Sequence, residues 1–593
     1  MHHACILESS RRAASPVAVA LWLGRGWCPT VGTGLSGRIA VIPCTAVRPF
    51  LLLYGLALVV RLILLALYPD PAYPDSYYYV DVARALASTG RLELDFVWIF
   101  AEVGGDIPAN PALPVPANAH WLPLSSFIQA PFILLLGPTA FASAVPLALI
   151  GAVTAPMTFA IARDAGARRE VQWGAAILAA IPAAGTVFMP QPENFALLQP
   201  LIAATLWLAA RGLKGQPLAF ALAGLLVGLV SLARNDGLLA GAALAALFAW
   251  DRWRARRGAV PARIPWSAAF ACAGLYLLVM GPWYLRQLAV FGSLSPTSSS
   301  GYALWIRTIE EWNSITADPS LGRFLAQGPG PILASRLGGL VAAFGQFAVI
   351  ICSIVLLPFV LVGGWRRRHS IEFRPWLVYM LLVFLGAALL YPLHVPGGTF
   401  IHSAVGLGSH AYIVALEGVA ALVAWLATRR SGWQDGTATP LFVGLVVGFV
   451  VVTAALYTLP VHEAWDASRQ PRLALALELD RRGVARDERL LTIDAAGFKY
   501  FTGRGGVVTP NDPIDTVEAV ARAYGTRWLV LERDALVPAL MPVLRGEARP
   551  AWIGGAVYSV PADDGGTPRL ALYPICVTPG DSRCAVALGG VVP

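Results

Sequence analysis

The sequence predicts a mainly α-helical, polytopic membrane bundle that ends in a small α/β domain. Three observations carry that prediction. Of 593 residues, 57% are hydrophobic and only 13% charged, with a mean hydropathy of +0.63, far from a soluble globular composition. The apolar residues fall in runs close to the ~20 that cross a bilayer. The basic residues sit in short loops between those runs, so the net charge of +9 marks membrane orientation and excludes nucleic acid as a partner.

Residues 1–46 carry Arg11, Arg12, Arg25 and Arg38 around a broken apolar run at 17–23. That run is too short, and too poor in a small-residue cleavage site, for a secretory signal. The segment reads as a cytoplasmic tail or an over-extended start. The membrane domain covers 47–463, with a first span at 50–68 that contains Arg61. In the loop at 69–137, Glu93, Asp95, Glu102 and Asp106 outnumber Arg84 and Arg91, which puts this loop outside. Its apolar piece at 127–136 is too short to span and reads as juxtamembrane or re-entrant.

Basic clusters at 163–169, 211–214, 252–263, 366–368 and 429–430 alternate with polar, acidic or proline-rich turns at 190–194, 234–236, 291–336 and 395–403. With the basic loops inside, the further spans are 139–162, 170–189, 195–212, 217–233, 237–250, 265–287, 338–364, 376–392, 404–427 and 440–460. That makes about eleven crossings, or thirteen if 125–138 changes the count, with the amino terminus inside and the carboxyl terminus outside. The span at 237–250 is short for a crossing.

From 464 the charges become frequent. Segments 489–494 and 526–532 read as strands, 514–524 as an amphipathic helix between them, 534–544 as a second helix, and 551–560 and 569–576 as further strands. This gives an extracytoplasmic α/β domain over 464–593, large enough for its own core. No CxxC pair or metal-ligand spacing occurs among the seven cysteines; Cys576 and Cys584 are near enough to bridge in an oxidising compartment.

The stretch 68–90, Y-P-D-P-A-Y-P-D-S-Y-Y-Y-V-D-V-A-R-A-L-A-S-T-G, is where chemistry first shows. Asp70, Asp75 and Asp81 follow the first span, and each alone is explained by loop or cap chemistry. Asp75 stands out because Tyr79, Val82, Ala83, Leu86 and Ala87 follow at helical spacing. It reads as the N-cap of a short amphipathic helix on the membrane surface. There a carboxylate would be held at the height of a phosphate-linked lipid head group.

By this topology the other unusual polar residues share the outer face. His120 stands in H-W-L-P-L. Glu193, in Q-P-E-N, either caps the helix that begins near Phe195 or supplies a second acid that orients an acceptor or holds a divalent cation. Arg234 and Asp236 either pair with one another or present a guanidinium to phosphate. Arg286 lies just inside the outer boundary. In the segment 295–312, Tyr302, Trp305 and Trp312, with Arg307 among them, form an interfacial belt or flank a sugar ring. His402 stands where a helix re-enters the membrane. There is no Ser/His/Asp order, zinc motif or phosphate loop.

The first-loop motif P-D-S-Y-Y-Y-V-D-V-A-R-A-L-A-S-T-G, with H-W-L-P-L, Q-P-E-N and Y-L-R-Q-L-A-V-F-G-S-L-S-P-T, resembles the GT-C superfamily of integral-membrane glycosyltransferases. The likeness is to its bacterial branch related to protein O-mannosyltransferases (family 39-like) and to the aminoarabinose transferase of lipid A, over about 50–460. The resemblance implies inverting transfer of a hexosyl or pentosyl group from a polyprenyl-phosphate carrier to a lipid, glycan or protein acceptor at the extracytoplasmic face, and the Ala/Arg/Gly-rich composition suggests a bacterial inner membrane. It implies that Asp75 is the general base and that Glu193 fills the acidic position of the second outer loop. Ser76 and Glu193 depart from the commonest pattern, which leaves a divalent cation as an open expectation beside no cofactor at all. Arg234 and Arg286 are the candidates for the phosphate. The competing expectations are a transporter of lipid-linked saccharide and an inactive scaffold; the scarcity of carboxylates in the spans opposes the transporter.

Overall fold

A computed structural model describes residues 44–99, 106–258, 260–295, 297, 300–430 and 434–576. The chain divides at Val47, and the fold described is that of the unit from Arg48 onward. Residues 1–43, Glu102 and Cys584, with its expected pairing to Cys576, lie outside the described residues.

The membrane part begins with α1 (Cys44–Leu67), α2 (Pro74–Thr89), α3 (Leu124–Leu136), α4 (Ala140–Gly151), α5 (Thr154–Asp164) and α6 (Arg169–Ala180). It continues with α7 (Phe195–Leu213), α8 (Pro217–Ala233), α9 (Leu238–Arg256), α10 (Trp266–Phe291), α11 (Pro329–Gln346) and α12 (Leu357–Arg367). Then come α13 (Arg374–Leu390), α14 (Thr399–Ala404), α15 (Gly408–Ala427) and α16 (Asp435–Arg481). One apolar core runs through it from Leu122 to Val450. Small residues let helices close on one another, as bundles in lipid require. On α12 and α15, a Cβ on Gly363 would strike the Val414 carbonyl, and one on Gly418 the Phe359 carbonyl.

Among the described residues, seven helices are long and apolar enough to cross a membrane. They overlap seven of the eleven expected spans. The segment at 170–189 breaks into α6 and a 3₁₀ turn, Ala183–Phe188, at Pro182. Helices α8 and α13 have 17 residues each, and α9 ends in Arg254 and Arg256. The expected span at 338–364 is corrected: α11 runs through a π turn, Phe347–Ile351, and left-handed backbone at Ser353 and Ile354 separates it from α12.

The α/β part differs from a self-contained domain starting at 464. Helix α16 is continuous for 47 residues across that boundary. The six-stranded sheet takes its edge strand from the first loop: β2 (Phe96–Val97) pairs parallel to β5 (Gly506–Val508). Next to β5 lie β4 (Leu490–Thr492), β6 (Trp528–Glu532), β8 (Leu570–Pro574) and β7 (Tyr558–Val560), in that order. A two-stranded ribbon, β1 (Glu93–Leu94) with β3 (Val115–Pro116), flanks it. Helices α17 (Ala495–Thr502) and α18 (Ile514–Ala523) pack on the sheet. The expected helix at 534–544 is instead two 3₁₀ turns and one helical turn, Met541–Leu544, because Pro538 and Pro542 interrupt it.

Two expectations for the first loop are also corrected. Tyr73, not Asp75, is the N-cap of α2; Pro74 opens the helix and Asp75 stands in its first turn, as proline at N1 favours. The helix does not lie with an apolar face on lipid, since Ser76 through Ala83 are all buried. Tyr77, Tyr78, Tyr79 and Val82 share a core with Leu491, Val507 and Val517. Asp70 ties the same loop to α16 and α17 through Arg469 (2.7 Å) and the Tyr500 hydroxyl (3.1 Å).

Asp81 is buried on α2, 3.8 Å from Arg84, with one carboxylate oxygen lacking a hydrogen-bond partner. Burial raises its carboxyl from 3.8 to about 8, against the opposing pull of Arg84 and Lys499. Between those values the unfolded chain has released a proton that the folded chain keeps, so stability falls as pH rises, by about 1.4 kcal/mol per pH unit at most. Thermal midpoints of wild type should therefore drop across this window and those of Asp81→Asn should drop less. Parallel curves would contradict the assignment.

Candidate active site

The loop between the 3₁₀ turn Ala183–Phe188 and α7 fixes the start of α2. Gln191 Oε1 accepts from the Ala72 amide (3.0 Å) and from Ser76 Oγ (3.2 Å). Asn194 Nδ2 donates to the Tyr79 hydroxyl (2.5 Å) and to the Ala233 carbonyl at the end of α8 (2.9 Å). Gln129 on α3 donates to the Pro192 carbonyl (3.0 Å). Gln129, Gln191 and Asn194 are buried, and these bonds are the ones their paired atoms find inside the protein, while Gln129 Oε1, Gln191 Nε2 and Asn194 Oδ1 have no partner there. The serine beside Asp75 makes one of these bonds, which gives Ser76 a structural role.

Held this way, Asp75 faces a cavity of about 530 Å³. His120, Arg234, Asp236 and His402 line the same space. The Asp75 side chain is 27% exposed. Burial raises its carboxyl, and Arg234 and a hydrogen bond from Trp121 oppose that rise. His402 stands between two acids: Nε2 is 3.9 Å from Asp75 and Nδ1 3.7 Å from Glu193. The Phe195 ring stacks on it at 4.2 Å and 5°, setting its plane.

Glu193 is fully buried behind this histidine and does not line the cavity. Tyr73 donates to its Oε1 (2.9 Å), and Asn194, not Glu193, is the N-cap of α7. Burial and the charge of Asp75 raise its carboxyl to about 8. One oxygen each of Asp75 and Glu193 and one nitrogen of His402 lie within 4.8 Å of one another. Glu193 Oε2 and His402 Nδ1 have no hydrogen-bond partner.

Arg234 pairs with Asp236 (Nε–Oδ1 3.2 Å), and Ser403 donates to the other Asp236 oxygen. The remaining sequence candidates stand elsewhere. Arg286 donates to the Ala117 carbonyl (2.8 Å) and lies over Trp283, so it supports the loop that carries His120. Arg307 is paired with Glu311 (3.2 Å), Trp305 packs against Phe324, and Tyr302 joins a cluster with Trp98 and Trp312. None of these four lines the cavity. Trp98, Trp121 and His394 do line it. Trp98 had no signal in the sequence, because F-V-W-I-F reads only as apolar loop. Trp121 is visible in the sequence only as a member of H-W-L-P-L, and His394 only as the start of the polar stretch 394–402.

Residues 116–283 match the model of a family described as dolichyl-phosphate-mannose-protein mannosyltransferase. No curated protein matches the chain in sequence. Among solved structures, ArnT from Cupriavidus metallidurans in the apo state aligns with 92% of this chain and 100% of its own, at 15% identity and TM-score 0.50. The same ArnT bound to undecaprenyl phosphate aligns with 89% and 98% at 15% identity and TM-score 0.47. The oligosaccharyltransferase of Archaeoglobus fulgidus aligns with 82% and 69% at 14% identity and TM-score 0.48. The chain thus has the fold of the GT-C membrane glycosyltransferases and, over residues 116–283, the sequence pattern of the mannosyltransferase family.

Proposed function

We propose that the protein transfers a hexosyl or pentosyl group from a polyprenyl-phosphate carrier to a hydroxyl of a lipid, glycan or protein acceptor at the extracytoplasmic face, with inversion. The observation that carries this reading is one carboxylate, Asp75, presented to a cavity that also holds Arg234. In the reaction, Asp75 takes the proton of the acceptor hydroxyl while that oxygen attacks the anomeric carbon. The bond from this carbon to the phosphate oxygen breaks, and the phosphate leaves with its electron pair. A carboxylate raised by burial is the better base for this step. Arg234, the one arginine or lysine on the cavity wall among the described residues, offers its guanidinium to the departing phosphate. Leu238 and Leu239 of α9 and Val383 and Leu390 of α13 give the cavity an apolar side that suits a prenyl chain. The family description, with its dolichyl-phosphate-linked sugar, supports a donor of this kind.

The topology that goes with this reading has the amino terminus in the cytoplasm and the carboxyl-terminal α/β part outside, in a bacterial inner membrane. Asp75, Glu193 and His402 also fit a divalent cation: two oxygens and one nitrogen converge, and in the same cluster Glu193 Oε2 and His402 Nδ1 lack protein partners. Such a cation would supply positive charge near the departing phosphate. A carboxylate that ligates a cation is a weaker base, so the two roles of Asp75 oppose one another.

Two measurements test these assignments. In membranes given radiolabelled polyprenyl-phosphate sugars, wild type should move label to an extractable product, and Asp75→Asn at matched expression should lose about 10²–10⁴-fold in rate. Equal transfer by both would remove Asp75 as base, and no transfer from any such donor by wild type would remove the reaction. After chelation, added Mn²⁺ or Zn²⁺ should raise the thermal midpoint of wild type, by about 2.7 kcal/mol of stability at a hundredfold excess over the dissociation constant, and His402→Ala should abolish the rise. An unchanged wild-type midpoint would make the cluster a metal-free trio.

A further inference from the structure

The proposed reaction uses Asp75 and Arg234 on the cavity and leaves a further part of its lining unexplained. That part is a wall built of rings. Trp98 lies 5.0 Å from Trp121 and 5.5 Å from Trp312; His120 lies 5.2 Å from Trp312; and His394 stands edge-on to Trp312 at 4.8 Å and 90°. All five line the cavity. Burial holds both imidazoles neutral, His120 at about 3 and His394 at about 4. The wall therefore has aromatic faces, uncharged nitrogens and no ionised group of its own.

Two details distinguish it from ordinary apolar packing. Both ring nitrogens of His394 are buried without a hydrogen-bond partner, at the edge of a cavity large enough to hold one. A buried polar atom left unmet is costly, so a partner from a bound molecule would be favoured. Trp121 also joins the wall to the chemistry, since it hydrogen-bonds Asp75 while its ring faces Trp98 and Tyr78. A molecule seated on the rings would thus have an edge near the base.

The wall is also deliberately held. The Trp98 indole donates to Asn313 Oδ1 (3.0 Å), and the Asn511 amide donates to the Asn313 carbonyl (2.9 Å). Asp512 accepts from Ser314 Oγ (2.6 Å) and the Ile315 amide (2.8 Å). Trp312 is therefore fixed by the segment at 511–512 of the α/β part, and Trp98 follows directly on β2, the strand that part pairs with.

We propose that Trp98, Trp121, Trp312, His120 and His394 form a subsite for a neutral sugar ring, adjoining the catalytic carboxylate. Indole faces cover the C–H surface of a pyranose or furanose ring, and neutral imidazole nitrogens give or accept hydrogen bonds from its hydroxyls. A quaternary ammonium is the other ligand an aromatic cage takes, but here Arg234 acts electrostatically on His120 and would oppose a cation. The subsite deepens the transferase reading and rests on it for the source of the sugar, which is either the donor's transferred group or the acceptor's glycan.

The test is ligand-detected saturation-transfer NMR on the full chain in nanodiscs, with methyl glycosides of mannose, glucose, galactose and arabinose, and tetramethylammonium as the rival. The ring C–H protons of at least one glycoside should saturate with wild type. Trp312→Ala and His394→Ala should weaken that binding about three- to ten-fold, Trp312→Phe should restore part of it, and Trp305→Ala, outside the cavity, should leave it intact. Displacement of the glycoside by polyprenyl-phosphate sugar assigns the subsite to the donor's sugar; its persistence assigns it to the acceptor's. Absence of saturation with wild type, unchanged saturation in both alanine variants, or preference for tetramethylammonium would overturn the subsite. Label transfer without glycoside binding sinks the subsite alone, whereas glycoside binding without label transfer sinks the reaction and leaves the subsite standing.

Discussion

The arrangement depends on a row of buried polar groups at the junction of α2, α7 and α8, where Gln191 Oε1 and Asn194 Nδ2 are paired while Gln191 Nε2 and Asn194 Oδ1 are not. Gln191 and Asn194 make four hydrogen bonds, to the Ala72 amide, Ser76, Tyr79 and the Ala233 carbonyl. Leaving any of these unmet in the interior would cost on the order of 1–3 kcal/mol, so the helix that carries Asp75 has little freedom to rotate or slide. The same constraint places Glu193, one residue before Asn194, behind His402. The positions of Asp75 and of Glu193 are thus two results of one loop.

The hydropathy pattern and loop charges made most of the bundle legible, because period and length are local properties. Helices α7, α8 and α10 begin within one residue of the expected spans. What was not legible is non-local. Proline at 182 and left-handed backbone at Ser353 and Ile354 divide runs that hydropathy joins. The burial of α2 depends on a sheet formed by residues some four hundred positions later, so an amphipathic pattern that suits a lipid surface lies against protein instead. Asp75, Arg234, Asp236, His120 and His402 share one cavity, while Arg286 and Arg307 have closer partners in the Ala117 carbonyl and Glu311. No pattern in the sequence announces such partners.

The α/β part is more than an appended cap. It adopts β2 from the first loop, it fixes the segment that bears Trp312, and through Arg469 and Tyr500 it holds Asp70, five residues before Asp75. An ion cluster, Arg472 with Asp494 and Glu532, fastens α16 to the sheet. Fold and site are coupled here, which is why a boundary drawn at a change of composition does not coincide with a structural one.

If Asp75 takes the acceptor's proton and Arg234 holds the departing phosphate, the two face one reacting carbon from its two sides. The direct measurement is a cryo-electron microscopy structure of the chain with a polyprenyl phosphonate analogue of the donor sugar. The account predicts the phosphonate against Arg234 and the anomeric carbon turned towards Asp75, within the cavity. A phosphonate bound away from Arg234, or a sugar whose anomeric carbon is shielded from Asp75, would contradict it.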